Sequence, residues 1–183
     1  TADGAALVSG GRDGNVKIWS PNTGTVLRSL VVNGVAARAV TVTPDGSQVV
    51  AAMENGTVQT WALSDGTPML TITTGDDASN AVSYSPVKPW ILMGGGRMAQ
   101  LWDLERVSLI DTFPEHADTV TAAAFSPDGR HFLTGSRDGS LRIWSLGPWL
   151  DATPTPTATN TPTATPTPTP TYTRTPTPTP TAT

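Results

Sequence analysis

A hydroxyl, an imidazole and a carboxylate stand near one another in the sequence at Thr134, His116 and Asp138. These are the group types from which hydrolases assemble a nucleophile, a base and an orienting acid. A second chemical candidate is the run Gly94-Gly95-Gly96. It lacks the Lys-Ser/Thr pair and the following helix of a phosphate loop, so it reads as a turn between strands. Met53, Met69, Met93 and Met98 are irregularly placed for a metal site, and no His/Cys/Asp set has ligand spacing. Neither a metal nor a cofactor is expected.

The elements that must position these groups are written in a repeat. His131 to Trp144 (HFLTGSRDGSLRIW) is restated by Ala6 to Trp19, by Gln48 to Trp61 and, one residue shorter, by Trp90 to Trp102. Each copy runs as an apolar stretch, a turn and an alternating stretch, which is a β-hairpin closed by tryptophan. Trp19, Trp61, Trp102 and Trp144 are spaced by 42, 41 and 42 residues, and Pro44, Pro86 and Pro127 independently give 42 and 41. Asp-Gly or Asn-Gly pairs at 13–14, 45–46, 55–56, 128–129 and 138–139 supply turns, because glycine tolerates the positive φ that tight hairpins demand. An apolar strand precedes the hairpin in the last three copies (Ala39 to Val42, Ala81 to Tyr84, Val120 to Phe125). Another follows it in the first three (Thr25 to Leu30, Pro68 to Ile72, Val107 to Ile110). A complete repeat therefore has four strands. The first copy begins at Thr1 without its leading strand and the last runs into Asp151 without its trailing one, which gives 3 + 4 + 4 + 3 strands.

Before each tryptophan, apolar residues such as Val16 and Ile18, or Leu141 and Ile143, alternate with polar ones. One face is buried in this way. The other carries the tryptophan beside a long polar residue two positions earlier, whose stem lies on apolar surface while its head reaches water. A single sheet of this kind cannot bury both faces, so each should stack on the next.

Composition removes other classes. The chain has 183 residues, 37% of them hydrophobic, a net charge of −4 and no cysteine, so it is neither a disulfide scaffold nor a basic nucleic-acid binder. No apolar run approaches the roughly 18 residues of a membrane helix. Thr1 opens neither a signal peptide nor a sequence with a start methionine, so the chain reads as a fragment.

Four strands in about 42 residues, Ser-Pro-Asp-Gly turns and a tryptophan closing the third strand resemble the WD-repeat β-propeller family over residues 1–150. The literal Trp-Asp pair stands only at Trp102-Asp103. The resemblance implies an all-β partial propeller of about four blades. It also implies a buried network in which His116, Thr134, Asp138 and Trp144 satisfy one another, with Ser9, Asp13 and Trp19 as its counterpart in the first copy. Those residues would then hold a blade together where no substrate reaches them, and the triad reading falls. The middle copies depart (Asn33, Ala51 and Asn55; Gly75, Met93 and Arg97), and looser packing is expected there. In a propeller the loops between repeats crowd one rim. Asp76, Asp77, Glu115 and Asp118 there would suit a basic peptide, but Arg12, Arg97 and Arg137 on the same rim favour a solvated mixed-charge surface over that partner-binding reading.

From Thr153 to Thr183 every odd position is threonine and most even ones are proline. Proline lacks an amide proton and favours extended neighbours, so residues 151–183 read as a disordered, polyproline-II-like linker of up to roughly 90 Å at about 3.1 Å per residue. Such spacers resemble those of secreted and surface-attached bacterial proteins, which favours an extracellular or cell-surface setting over a cytoplasmic one. The functional expectation is a non-catalytic platform for a protein or peptide, with no nucleic acid and no membrane insertion in this stretch. The alternatives are a quinoprotein-like propeller enzyme and the sensor domain of a membrane receptor. Open strands at both ends predict self-association.

Overall fold

The computed structural model of the chain describes residues 1–31, 34–75 and 79–150. Asn33, Asp76 and Asp77, and the tail from Asp151 onward, lie outside them. Among the described residues, fourteen strands form four antiparallel sheets, and a helical turn follows the last of them. The first sheet holds β1 (Leu7–Gly10), β2 (Asn15–Trp19) and β3 (Val26–Val31). The second holds β4 (Ala37–Val42), β5 (Gln48–Met53), β6 (Thr57–Ala62) and β7 (Pro68–Thr73). The third holds β8 (Ser79–Tyr84), β9 (Trp90–Gly95), β10 (Met98–Asp103) and β11 (Ser108–Phe113). The fourth holds β12 (Val120–Phe125), β13 (His131–Ser136) and β14 (Leu141–Ser145), and α1 (Gly147–Leu150) takes the place of an outer strand. The described residues are thus all-β, a partial propeller in which the first blade shows no inner strand and the last no outer one.

Every sheet is a meander, since consecutive strands need only short turns to pair antiparallel. Register shifts recur at matching places: before Trp19, Trp61 and Trp102, and after Ala37, Ser79 and Val120. Bulges of this sort increase the right-handed twist of a sheet. One turn departs from its siblings. Gly24 and Gly66, each five residues past a tryptophan, have φ of 67° and 78°, and the equivalent residue in the third blade is Val107 at φ 50°. The outer strand there starts at Ser108 rather than at Val107, because a residue in left-handed backbone leaves the ladder.

The core lies between blades. Val16, Ile18 and Leu30 pack against Val49, Met53 and Trp61 at the first seam. Val50 and Val58 meet Ile91 and Met93 at the second. Leu92, Leu101 and Phe113 meet Phe132, Trp144 and Leu146 at the third. Phe113 stands edge-on to both Phe132 and Trp144, with centroids 4.9 Å away in each case, and Phe132 stacks on Trp144. Main-chain bonds cross two of these seams on one rim: Ala37 N–H donates to Gly11 O (3.0 Å) and Val120 N–H to Gly96 O (2.8 Å). At Gly94 a methyl group would come within 2.5 Å of Val120 Cγ1, so the third seam requires glycine there.

The looser packing expected of the middle blades is found beside Gly75 in the third, where a cavity opens, and not along their hairpin strands. Val49 through Ala52 and Met53 are all fully buried, as are Ile91 and Leu92. Apolar side chains between two flanking sheets replace the polar set. The open positions are instead on the outward faces of the end blades. Leu133, Leu141 and Ile143 are 37–51% exposed, whereas Val50, Val58, Leu92 and Leu101 at matching positions are fully buried. Leu7 opens the opposite end at 58% exposure, where Val49, Ile91 and Phe132 are covered.

Candidate functional site

In the last blade the β11–β12 loop carries His116 into the space beside β13 and β14. Its Nε2 lies 2.7 Å from Thr134 Oγ1, and its Nδ1 lies 3.2 Å from Asp138 Oδ2 and 3.1 Å from Ser140 Oγ. Trp144 Nε1–H donates to the same Thr134 hydroxyl at 3.1 Å. A carboxylate only accepts, so a proton on Nδ1 faces Asp138, and Nε2 accepts from a hydroxyl that itself accepts from the indole. Asp138 also receives the Ala117 and Ser140 N–H groups at 2.7 and 2.8 Å. The Ser140 hydroxyl, then that blade's backbone N–H groups and His116, hold the Asp138 carboxyl well below the usual carboxylate range.

The chemistry available here is restricted by access. The His116 side chain is fully enclosed and Thr134 is 0% exposed. A nucleophilic hydroxyl that accepts from an indole at the centre of a seam has no room for a substrate carbonyl. Ser140 is a member that the sequence did not suggest; its signal was the residue two past the turn aspartate, where Asn15 and Thr57 stand in other blades.

The counterpart in the first blade is sparser. Trp19 Nε1–H donates to Ser9 Oγ at 2.8 Å, while Asp13 serves its own turn through Asn15 N–H and lies 3.9 Å from Lys17. The second blade keeps only that turn, with Asn55 Oδ1 accepting from Thr57 N–H at 3.2 Å. In the third, Gln100 Oε1 accepts from Trp102 Nε1–H at 3.0 Å, so the polar residue before the tryptophan caps the indole rather than only reaching water. Asp103, the aspartate of the Trp-Asp pair, accepts from Trp90 Nε1–H (3.4 Å) and Arg106 (2.9 Å) and so ties the outer turn to β9.

The rim places Arg12, Arg97 and Arg137 in equivalent hairpin turns of the first, third and fourth blades, all exposed. Glu115 and Asp118 lie on the β11–β12 loop, which the Arg137 N–H joins by donating to Thr119 O at 2.9 Å. Both acids are engaged locally. Glu115 accepts from Arg142 at 2.9 Å, and Asp118 accepts from Thr119 N–H at 2.6 Å. Among the described residues, no cluster of histidines and acids has the makings of a metal site, and no helix is long and apolar enough to cross a membrane.

Comparison with known proteins matches residues 1–20 and 107–145 to the family described as WD domain, G-beta repeat. These are the two copies that keep a hydroxyl and an acid near the tryptophan. WD repeat-containing protein 44 of Xenopus laevis is 45% identical over 51 residues, 27% of this chain and 6% of that protein. Periodic tryptophan protein 2 homolog of Mus musculus is 34% identical over 58 residues, covering 31% and 6%. Protein ROOT INITIATION DEFECTIVE 3 of Arabidopsis thaliana is 39% identical over 57 residues, covering 30% and 13%. The matches thus span only a small part of each relative.

Proposed function

Starting from a chain that belongs to the WD-repeat family, we propose that residues 1–150 are a non-catalytic platform for a protein or peptide partner and that residues 151–183 are an extended tether. WD repeats serve protein interaction in general, and the resemblance of the Thr-Pro tract to cell-surface spacers supports a platform held at a distance from its anchorage. One observation carries the reading: the groups that could do chemistry are sealed inside a blade, while Arg12, Arg97 and Arg137 are exposed on the rim. With Glu115 and Asp118 engaged locally, the described part of the rim offers guanidinium groups to the acidic side chains of a partner.

Selection of peptides from a random display library on the full chain tests this. Enriched peptides should carry Asp or Glu and should lose at least tenfold in affinity for the Arg97→Glu, Arg137→Glu double variant. Equal binding to that variant overturns the rim assignment. A hydrolysis lost in His116→Ala with the fold intact would restore the catalytic reading, and binding of a quinone would restore the quinoprotein one.

The apolar end faces carry a second element of the reading. Leu7 at one end, and Leu133, Leu141 and Ile143 at the other, sit where a further blade or a second copy would pack. Replacing Leu141 and Ile143 by lysine should abolish concentration-dependent association in sedimentation. Unchanged association would place it elsewhere.

A further inference from the structure

The third blade has a cavity where the fourth has its histidine. It measures about 310 Å³ and is lined by Thr74, Gly75, Ser79, Met93, Gly95, Met98 and Gln100. In the repeat alignment Gly75 stands at the position of His116, Met93 at that of Thr134, Met98 at that of Ser140 and Gln100 at that of Arg142. The strand pairings agree. Met93 faces Gln100 across β9 and β10 as Thr134 faces Arg142 across β13 and β14, and Ser79 faces Gly95 as Val120 faces Ser136. The cavity is therefore the space that an imidazole fills one blade later.

We propose that this cavity is a binding site for an imidazole ring, supplied by a histidine side chain of a peptide partner. Three features select that chemistry. The blade backbone already forms an imidazole-sized slot at the corresponding place in the fourth repeat. The thioethers of Met93 and Met98 give a polarizable lining that suits the faces and edge of a planar ring. Polar capacity remains as well: the Gln100 amide uses its oxygen on Trp102, which leaves its NH₂ as a donor to an imidazole nitrogen, and Ser79 adds a hydroxyl. At about 310 Å³ the cavity lies at the low end of the roughly 300–1,000 Å³ of small-ligand sites and has room for an imidazole ring together with part of the peptide that carries it. The idea of a peptide partner is taken from the platform reading; the slot itself does not depend on it.

The test is a titration of the full chain, labelled at the methionine methyls, with imidazole and then with Gly-His-Gly, Gly-Phe-Gly and Gly-Ala-Gly, at about pH 8 where the ring is neutral. Met93 and Met98 should shift with imidazole and with Gly-His-Gly in the low-millimolar range, about 1–10 mM. Met53 in the first seam and exposed Met69 should stay still. Gly-Phe-Gly and Gly-Ala-Gly should bind at least tenfold more weakly. Met98→Trp, which fills the space, and Gln100→Leu, which removes the donor, should each reduce imidazole binding at least tenfold. No shift at Met93 and Met98 overturns the site. Equal binding of Gly-Phe-Gly overturns the choice of a nitrogen ring. Imidazole binding without Gly-His-Gly binding overturns the peptide source and leaves the rim to be judged by its own test.

Discussion

The second and fourth blades set a buried tryptophan at the same point of the same strand and surround it with opposite chemistry. Around Trp144 stand Thr134, His116, Asp138 and Ser140 in one hydrogen-bonded chain. Beside Trp61 the matching residue is Ala51, fully buried, and the turn keeps only Asn55 and Thr57. Both blades have the same strand order and the same register at the hairpin. The polar network is thus one of two ways to fill a seam. What a blade needs is that a hydroxyl, if present, be answered, and that otherwise the space be apolar.

On this comparison, breaking the network of the fourth blade should cost more than removing an unanswered hydroxyl from the second gains. His116→Ala leaves Thr134 and Asp138 facing an empty space and should destabilise by about 3 kcal/mol in urea denaturation. Thr134→Ala, which makes the fourth blade resemble the second at one position, strips Trp144 and His116 of a shared partner and should cost about 2 kcal/mol. The double variant should cost clearly less than the sum, because the two residues belong to one chain of bonds. Additive losses would mean that the residues act independently.

The second blade supplies the converse. Thr60, 1% exposed on β6, has a buried hydroxyl with no hydrogen-bond partner among the described residues, where the other blades place Ile18, Leu101 and Ile143. Thr60→Val should raise stability by about 1–2 kcal/mol. Val107→Gly, which returns the third outer turn to the residue of its siblings, should add about 1 kcal/mol, because Val107 is 47% exposed and has little burial to lose.

The acid limb sharpens the contrast further. The Asp138 carboxyl is held low in the folded chain, so its contribution is complete above its unfolded value of about 3.9 and is lost as pH falls from there toward the folded value. Asp138→Asn should flatten that part of the profile of urea midpoint against pH. Asn55→Asp, in the blade without a histidine, should introduce a much smaller acid dependence.

The legible part of the fold is the part that repeats. Tryptophan, Asp-Gly and alternating apolar residues recur at a fixed period, and four sheets of 3 + 4 + 4 + 3 strands can be read from that period alone. The strand start at Ser108 cannot, because Val107 occupies a conformation its side chain disfavours and local preference points to strand. The close packing along the hairpin strands of the middle blades is hidden for a different reason. Loss of His, Thr and Asp from a repeat looks like loss of contacts, although Ala51 needs only neighbours on both sides to be fully buried. Burial between sheets is a property of stacking, and no single repeat displays it.

The two rim bonds, from Ala37 to Gly11 and from Val120 to Gly96, are made by main chain alone. The peptide groups that clasp the first and third seams need no particular side chain of their own, so long as neighbours such as Gly94 leave the strands room to approach. The arc is in this sense a ruler: mutation can retune how firmly its segments hold without altering the distance between marks. A contact surface spread over two neighbouring turns therefore keeps its spacing while the interior beneath it evolves.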